Sequence, residues 1–144
     1  MARNQQFIEK IRRFNRFYTN IIGLLDQHFL ATPFSLIEGR VLYEIHHMEE
    51  CSAKKIREQI TIDEGYLSRI IDKFIKEGLI TKTPSQGDRR LHIIHLTEKG
   101  GAQFARLNEN QNRLISQITE KLSTQETKEL VQMMERIQEL LTKE

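Results

Sequence analysis

The residues best suited to chemistry lie along one short helical segment and the hairpin after it. Between Asp63 and Gly78, Tyr66, Ser68, Arg69, Asp72, Lys73 and Lys76 fall mostly on one face of a helical repeat, opposite an apolar stripe of Leu67, Ile70, Ile71 and Phe74. Asp63 is a carboxylate N-cap and Gly78 suits a left-handed C-cap, so the segment is self-delimited. A polar, partly basic face of this kind offers hydrogen bonds and positive charge to a polyanion. It is equipped for recognition, not for breaking bonds: the sequence holds no nucleophile–base pairing, glycine-rich phosphate loop or metal-ligand spacing. No enzyme activity and no cofactor is therefore expected. The histidines, His28, His46, His47, His92 and His95, are scattered, and the adjacent pair would diverge by about 100° on a helix, so no metal site is expected either. Cys51 is the single cysteine, which excludes an intrachain disulfide and a cysteine-rich zinc site. It reads as a partly buried small residue beside a capping serine. The alternative is a redox-responsive thiol, its ionised form favoured by Lys54 and Lys55 at the start of the next helix.

The elements that must position these groups follow from the same stretch. Ser52 caps a helix running to Ile60, and only Thr61 and Ile62 separate it from the Asp63 cap. So short a turn makes two helices cross steeply, as in a helix-turn-helix whose second helix can enter a major groove. After Gly78 the period becomes extended. Leu79–Thr83 and Leu91–Leu96 are short β-branched-rich runs joined by a turn containing Pro84 and Gly87-Asp88. The expected fold is mainly α with a small β hairpin (α+β): a winged helix-turn-helix over residues 34–100.

The chain has 144 residues, with 22 Lys and Arg against 20 Asp and Glu, a length that fits one domain and a balance that does not announce a nucleic-acid partner. Distribution says more. Residues 51–90 carry nine basic and six acidic groups, and residues 101–144 carry six and seven. No long apolar run or signal core occurs, so a cytoplasmic protein with no membrane partner is expected. Flanking helices lie over 1–33 and 101–144. Phe7, Ile11, Phe14, Tyr18, Ile21 and Leu25 make one seam of the first, widened by Ile8, Phe17, Ile22 and Leu24 into a second apolar face. One face would serve the chain's own core and the other a partner. Ala31-Thr-Pro-Phe34 breaks this helix, Ser35–Glu38 forms a capping box, and Ser123–Glu126 forms another before the last helix. Thr97–Gly101 is expected to stop the second strand before a long helix that runs through Phe104 and Leu107. More apolar surface on the end helices than a small central module can cover implies a homodimer.

Three segments now carry a resemblance: Ser35-x-x-Glu38-x-Arg40-Val41-Leu42, Ile75-Lys-Glu-Gly78-Leu79-Ile80, and Asp88-Arg89-Arg90 with Leu96-Thr97-x-x-Gly100. Together they resemble the MarR family of bacterial transcription regulators over nearly the whole chain. The resemblance implies a homodimer that binds a palindromic operator in double-stranded DNA and usually represses. It matches the wing motif Asp88-Arg89-Arg90 to a pair in which Asp88 orients Arg90 in the minor groove, a setting that suits a planar guanidinium. It places Ser68 and Arg69 toward major-groove base edges, Tyr66 near phosphate or a thymine methyl, and Lys54, Lys55 and Lys73 at the phosphate backbone. Family members often bind small aromatic or phenolic acids in a cleft, for which Tyr18, Ile22, Arg40 and Tyr43 are candidates, though Arg40 also reads as a structural ion-pair partner. Two features depart from the pattern. Thr61 replaces a common glycine, and Glu64 and Asp72 put negative charge on the helix meant for DNA. The segment Asp63–Arg69 also resembles regulators joined to an acetyltransferase, but no catalytic half is expected in these 144 residues. A winged helix that contacts protein instead of DNA is the remaining alternative.

Overall fold

The computed structural model describes residues 2–30 and 32–144, with side chains from residue 4 to 24 and from 32 onward. In chain order these form α1 (Ala2–Leu30), α2 (Leu36–His47), α3 (Ala53–Gln59), α4 (Glu64–Lys76), β1 (Ile80–Pro84), β2 (His92–Leu96), α5 (Glu98–Thr119) and α6 (Thr124–Leu141). Ala31 and the side chains of Leu25 and His28 lie outside the described residues. No helix among them is long and apolar enough to cross a membrane.

Local chemistry sets most boundaries. The Ser35 hydroxyl accepts from the Glu38 backbone N–H, and the Glu38 carboxylate accepts from the Ser35 N–H, so α2 opens on a complete capping box. Ser123 and Glu126 repeat it at α6. Ser52 and Asp63 cap α3 and α4 by accepting from Lys55 and Tyr66. At the end of α4 the chain turns through Gly78, at φ 74°. The Gly78 and Leu79 amides bond back to Ile75 and Phe74, closing the helix with a left-handed residue only glycine adopts readily. β1 and β2 pair antiparallel, Ile80 opposite Leu96 and Pro84 opposite His92. Ile94 also donates to the Cys51 carbonyl at 2.8 Å, which ties the hairpin to the chain just before α3.

The chain packs as two compact units, one up to Asn110 and one from Gln111 onward. In the first, Val41, Leu42, Ile56, Leu67, Ile71, Phe74 and Ile80 are almost wholly buried, with Phe34, Ile94, Phe104 and Leu107 around them. All the apolar stripe expected in α4 is there. The expectation for α1 needs correcting. No described side chain of α1 is buried, and Phe7, Ile8, Ile11, Phe14 and Phe17 of both stripes are exposed, because the core closes without them. In the second unit α6 buries no residue, and Val131, Met133, Met134, Ile137, Leu140 and Leu141 are exposed.

The start of α5 also differs from expectation. Thr97–Gly101 does not merely stop the strand: the helix begins at Glu98 and both glycines lie within it. Thr97 is the reason. Its hydroxyl accepts from the Gly100 N–H at 3.0 Å, as an N-cap does, and donates to the Gly78 carbonyl at 2.6 Å. Its amide donates to Leu79 O, and Lys99 Nζ donates to Glu77 O. The end of α4 is thereby clamped to the start of α5.

Candidate nucleic-acid interface

The exposed face of α4 carries Tyr66, Ser68, Arg69, Asp72 and Lys76, as its sequence pattern requires. The Arg69 guanidinium carbon lies 5.8 Å from the Tyr66 ring centroid, a cation–π contact that limits the arginine's freedom before any ligand arrives. Lys54 and Lys55 are carried by α3, where Lys55 is exposed and its Nζ reaches the Glu49 carbonyl at 3.4 Å. Glu64, a negative charge on this face, meets Arg57 of α3 at 3.3 Å, so its repulsion toward phosphate is partly offset. Thr61 needs no glycine in its place. The turn leaves α3 through Ile60 in an extended conformation, and among described non-glycine residues only Glu50 has positive φ.

Lys73 is arranged differently from the other cations. Its ammonium bonds Glu38 Oε2 at 2.7 Å, joining α4 to the cap of α2. That hydrogen bond holds the Lys73 pKa above its ordinary value. Burial pushes the Glu38 carboxyl up, but the hydrogen bonds from Lys73 and Ser35 outweigh it and hold the group below the usual range.

In the wing, Asp88 acts on the backbone. Its Oδ1 accepts from the Arg90 amide at 2.9 Å and its carbonyl accepts from Leu91, while Ser85 donates to the Leu91 carbonyl. Asp88 therefore meets Arg90 at its backbone amide and not, among the described contacts, at its guanidinium. Arg89 and Arg90 both stand exposed at the tip.

The MarR family model matches residues 34–92, which hold α2, α3, α4, β1 and the wing turn up to the first residue of β2. The HTH-type transcriptional regulator BilQ of Clostridium symbiosum is 27% identical over 87 residues, 60% of this chain and 60% of that protein's length. A MarR family protein of Bacillus stearothermophilus superposes with a TM-score of 0.80 at 15% identity, covering 99% of both chains. A mutant MarR from E. coli, complexed with operator DNA, superposes at 0.75 with 19% identity over 92% of this chain and 95% of its own. The middle of the chain is thus similar to the MarR family, and the chain as a whole shares the fold of MarR structures. Its fold is a winged helix, and the relatives it resembles are HTH-type transcriptional regulators.

The four effector candidates singled out from the sequence divide into two pairs. Tyr18 stacks on Phe14 within α1, ring centroids 5.7 Å apart. Arg40 and Tyr43 meet on α2, the guanidinium 5.8 Å from the ring, but Arg40 also binds Glu44 through Nε and an Nη at 2.8 Å. Arg40 is thus the ion-pair partner that the alternative reading described. A cleft of about 180 Å³ lies elsewhere, lined by Thr32, Pro33 and Phe34 before α2 and by Gln103, Arg106, Leu107 and Asn110 of α5. Ile22 is exposed on α1 and is not among its lining residues.

The premise of the redox reading is overturned by burial. Cys51 is 1% exposed. Desolvation pushes its thiol up to about 11, with Lys55 opposing only in part and Glu44 adding to the rise. The adjacent histidines are engaged by rings: His46 stacks on Phe104 at 4.3 Å and His47 on Tyr43 at 4.0 Å. Sequence reasoning misses Thr97, Gly100 and the second role of Glu38. Thr97 stands where an N-cap of α5 belongs, a local signal that was available, whereas nothing local gives a reason for glycine at position 100. Glu38 signals only a cap in the sequence.

Proposed function

We propose that this protein is a transcriptional regulator, a homodimer that binds a palindromic operator in double-stranded DNA, represses transcription from it, and acts in the cytoplasm. The observation that carries the reading is the outer face of α4: Tyr66, Ser68 and Arg69 are exposed on a helix capped at its start and clamped at its end. Arg69 would read a guanine through O6 and N7, with Ser68 beside it and Tyr66, Lys54 and Lys55 against the backbone. Arg90 would enter the adjacent minor groove from a wing shaped by Asp88, with Arg89 at its rim. The uncovered apolar faces of α1 and α6 support a dimer, since so much exposed Phe, Ile, Leu and Met marks an interaction surface. Two copies would present two α4 helices about one turn of DNA apart.

Release would come from a small aromatic or phenolic acid. The cleft beside Phe34 supports this better than Arg40 and Tyr43 do, because its Arg106 can meet a carboxylate whereas Arg40 is already paired. Such a ligand shifts the regulator only if it binds the DNA-free arrangement more tightly.

The test is a gel-shift titration against DNA from the gene's own upstream region, at two salt concentrations with random DNA as competitor, alongside sedimentation of the free protein. Tight, competitor-resistant, salt-sensitive binding by a dimer is expected. Binding no tighter than to random DNA would favour a winged helix that contacts protein.

A further inference from the structure

Glu38 is held at both oxygens. Oε1 accepts from the Ser35 amide at 3.1 Å and Oε2 from Lys73 Nζ at 2.7 Å, and the residue is only 8% exposed. It is therefore a fixed anchor. Four residues earlier, Phe34 meets Phe74 of α4 edge-on, ring centroids 6.0 Å apart. Two consecutive residues of α4, Lys73 and Phe74, are thus gripped by the first residues around the α2 cap.

We propose that Glu38 and Lys73 form a latch that sets the angle of α4 on the winged module, making Lys73 a positioning residue for DNA recognition and not a phosphate contact. The inference rests on the DNA-binding reading above. To reach a phosphate, Lys73 would have to leave a largely buried carboxylate without its partner, which is costly. The lever is long enough to matter. Tyr66 stands seven residues before Lys73, roughly 10 Å along the axis at 1.5 Å per residue, so a tilt of about 5° pivoting at Lys73 moves the start of α4 by roughly 1 Å. That exceeds the roughly 0.5 Å within which a recognition group must be held.

Glu38→Gln separates the two roles, because glutamine serves equally in a capping box but removes the charge that holds Lys73. Lys73→Met keeps the apolar stem. Both variants and their double are compared with the parent chain for affinity to the upstream fragment and to random DNA across a salt series. Amide hydrogen exchange on α4 is measured in the free proteins. Each single variant is expected to lose about tenfold in specific affinity with an unchanged salt slope, and the double to lose no more than either. The α4 amides should exchange faster in all three. A salt slope flattened by about one unit in Lys73→Met, with Glu38→Gln binding as tightly as the parent, would make Lys73 a phosphate contact and overturn the latch. Lower thermal stability with unchanged affinity would overturn it too. If the parent itself prefers no DNA, the DNA-binding reading fails, and the exchange data still decide: unchanged protection of α4 in the variants refutes the latch.

Discussion

Two adjacent glycines in α5 should respond to alanine with opposite signs. A Cβ built at Gly100 lies 2.0 Å from the Leu79 carbonyl oxygen, 2.9 Å from its carbon and 3.1 Å from Leu96 Cδ2, while at Gly101 nothing lies within 4 Å. Neither has the positive φ that would strain alanine. At position 100 the methyl meets backbone, which cannot rotate aside. Leu79 O must retreat by more than about 1 Å to restore an ordinary contact of roughly 3.5 Å. That carbonyl also accepts from the Thr97 amide at 3.0 Å, and its neighbour at Gly78 is held by the Thr97 hydroxyl. Overpacking costs about 1–3 kcal/mol and each weakened hydrogen bond about 0.5–1.5 kcal/mol, against a gain of about 0.5–1 kcal/mol for alanine over glycine in a helix. The expected net loss for Gly100→Ala is about 2–4 kcal/mol, with a melting temperature lowered by roughly 5–15 °C. Gly101→Ala carries only the propensity gain, about 0.5–1 kcal/mol. Urea unfolding followed by circular dichroism measures both, at one fixed protein concentration, since the stability of the proposed dimer would depend on it. Equal midpoints for the two variants would refute the close approach of α5 to the end of α4.

Arg90→Ala should weaken binding to all sequences and leave the oligomer intact, whereas Arg69→Ala should cost about 1–3 kcal/mol on the operator and relax base preference at its contact; equal losses on every sequence would remove Arg69 from base reading. With the Cys51 thiol pushed up to about 11, native protein should label only slowly with thiol reagents until denatured, and Cys51→Ala should respond to oxidant as the parent does. Fast labelling of the native protein would revive the redox reading. Because the Glu38 carboxyl is held below its ordinary 4.5, its contribution to stability is fully present above that pH and is lost as pH falls through the depressed value. Acid unfolding of Glu38→Gln should lack that part of the parent's pH dependence, and coincident profiles would count against a charged Glu38 in the folded state.

What was legible from sequence was local. Asp63, Ser52, Ser35 and Ser123 each bond an amide three residues on, so their caps are written in nearby positions. The stripe of Leu67, Ile70, Ile71 and Phe74 follows from helical periodicity, and it placed Tyr66, Ser68 and Arg69 on the outer face. The turn chemistry around Gly87 and Asp88 marked the wing in the same way.

Tertiary structure decided whatever depends on residues far apart in the chain. Lys73 and Arg69 are both exposed cations on one helix, but only Lys73 meets a carboxylate 35 positions earlier, and no helical pattern distinguishes them. Cys51 stands beside lysines that would favour its thiolate, yet the packed core around it removes the water that ionisation needs. Gly100 and Gly101 look alike in sequence and differ only because the Leu79 carbonyl presses on one of them. Caps and periodicity are short-range and survive in the letters of the sequence. Charge compensation, desolvation and close backbone approach arise only once the elements pack.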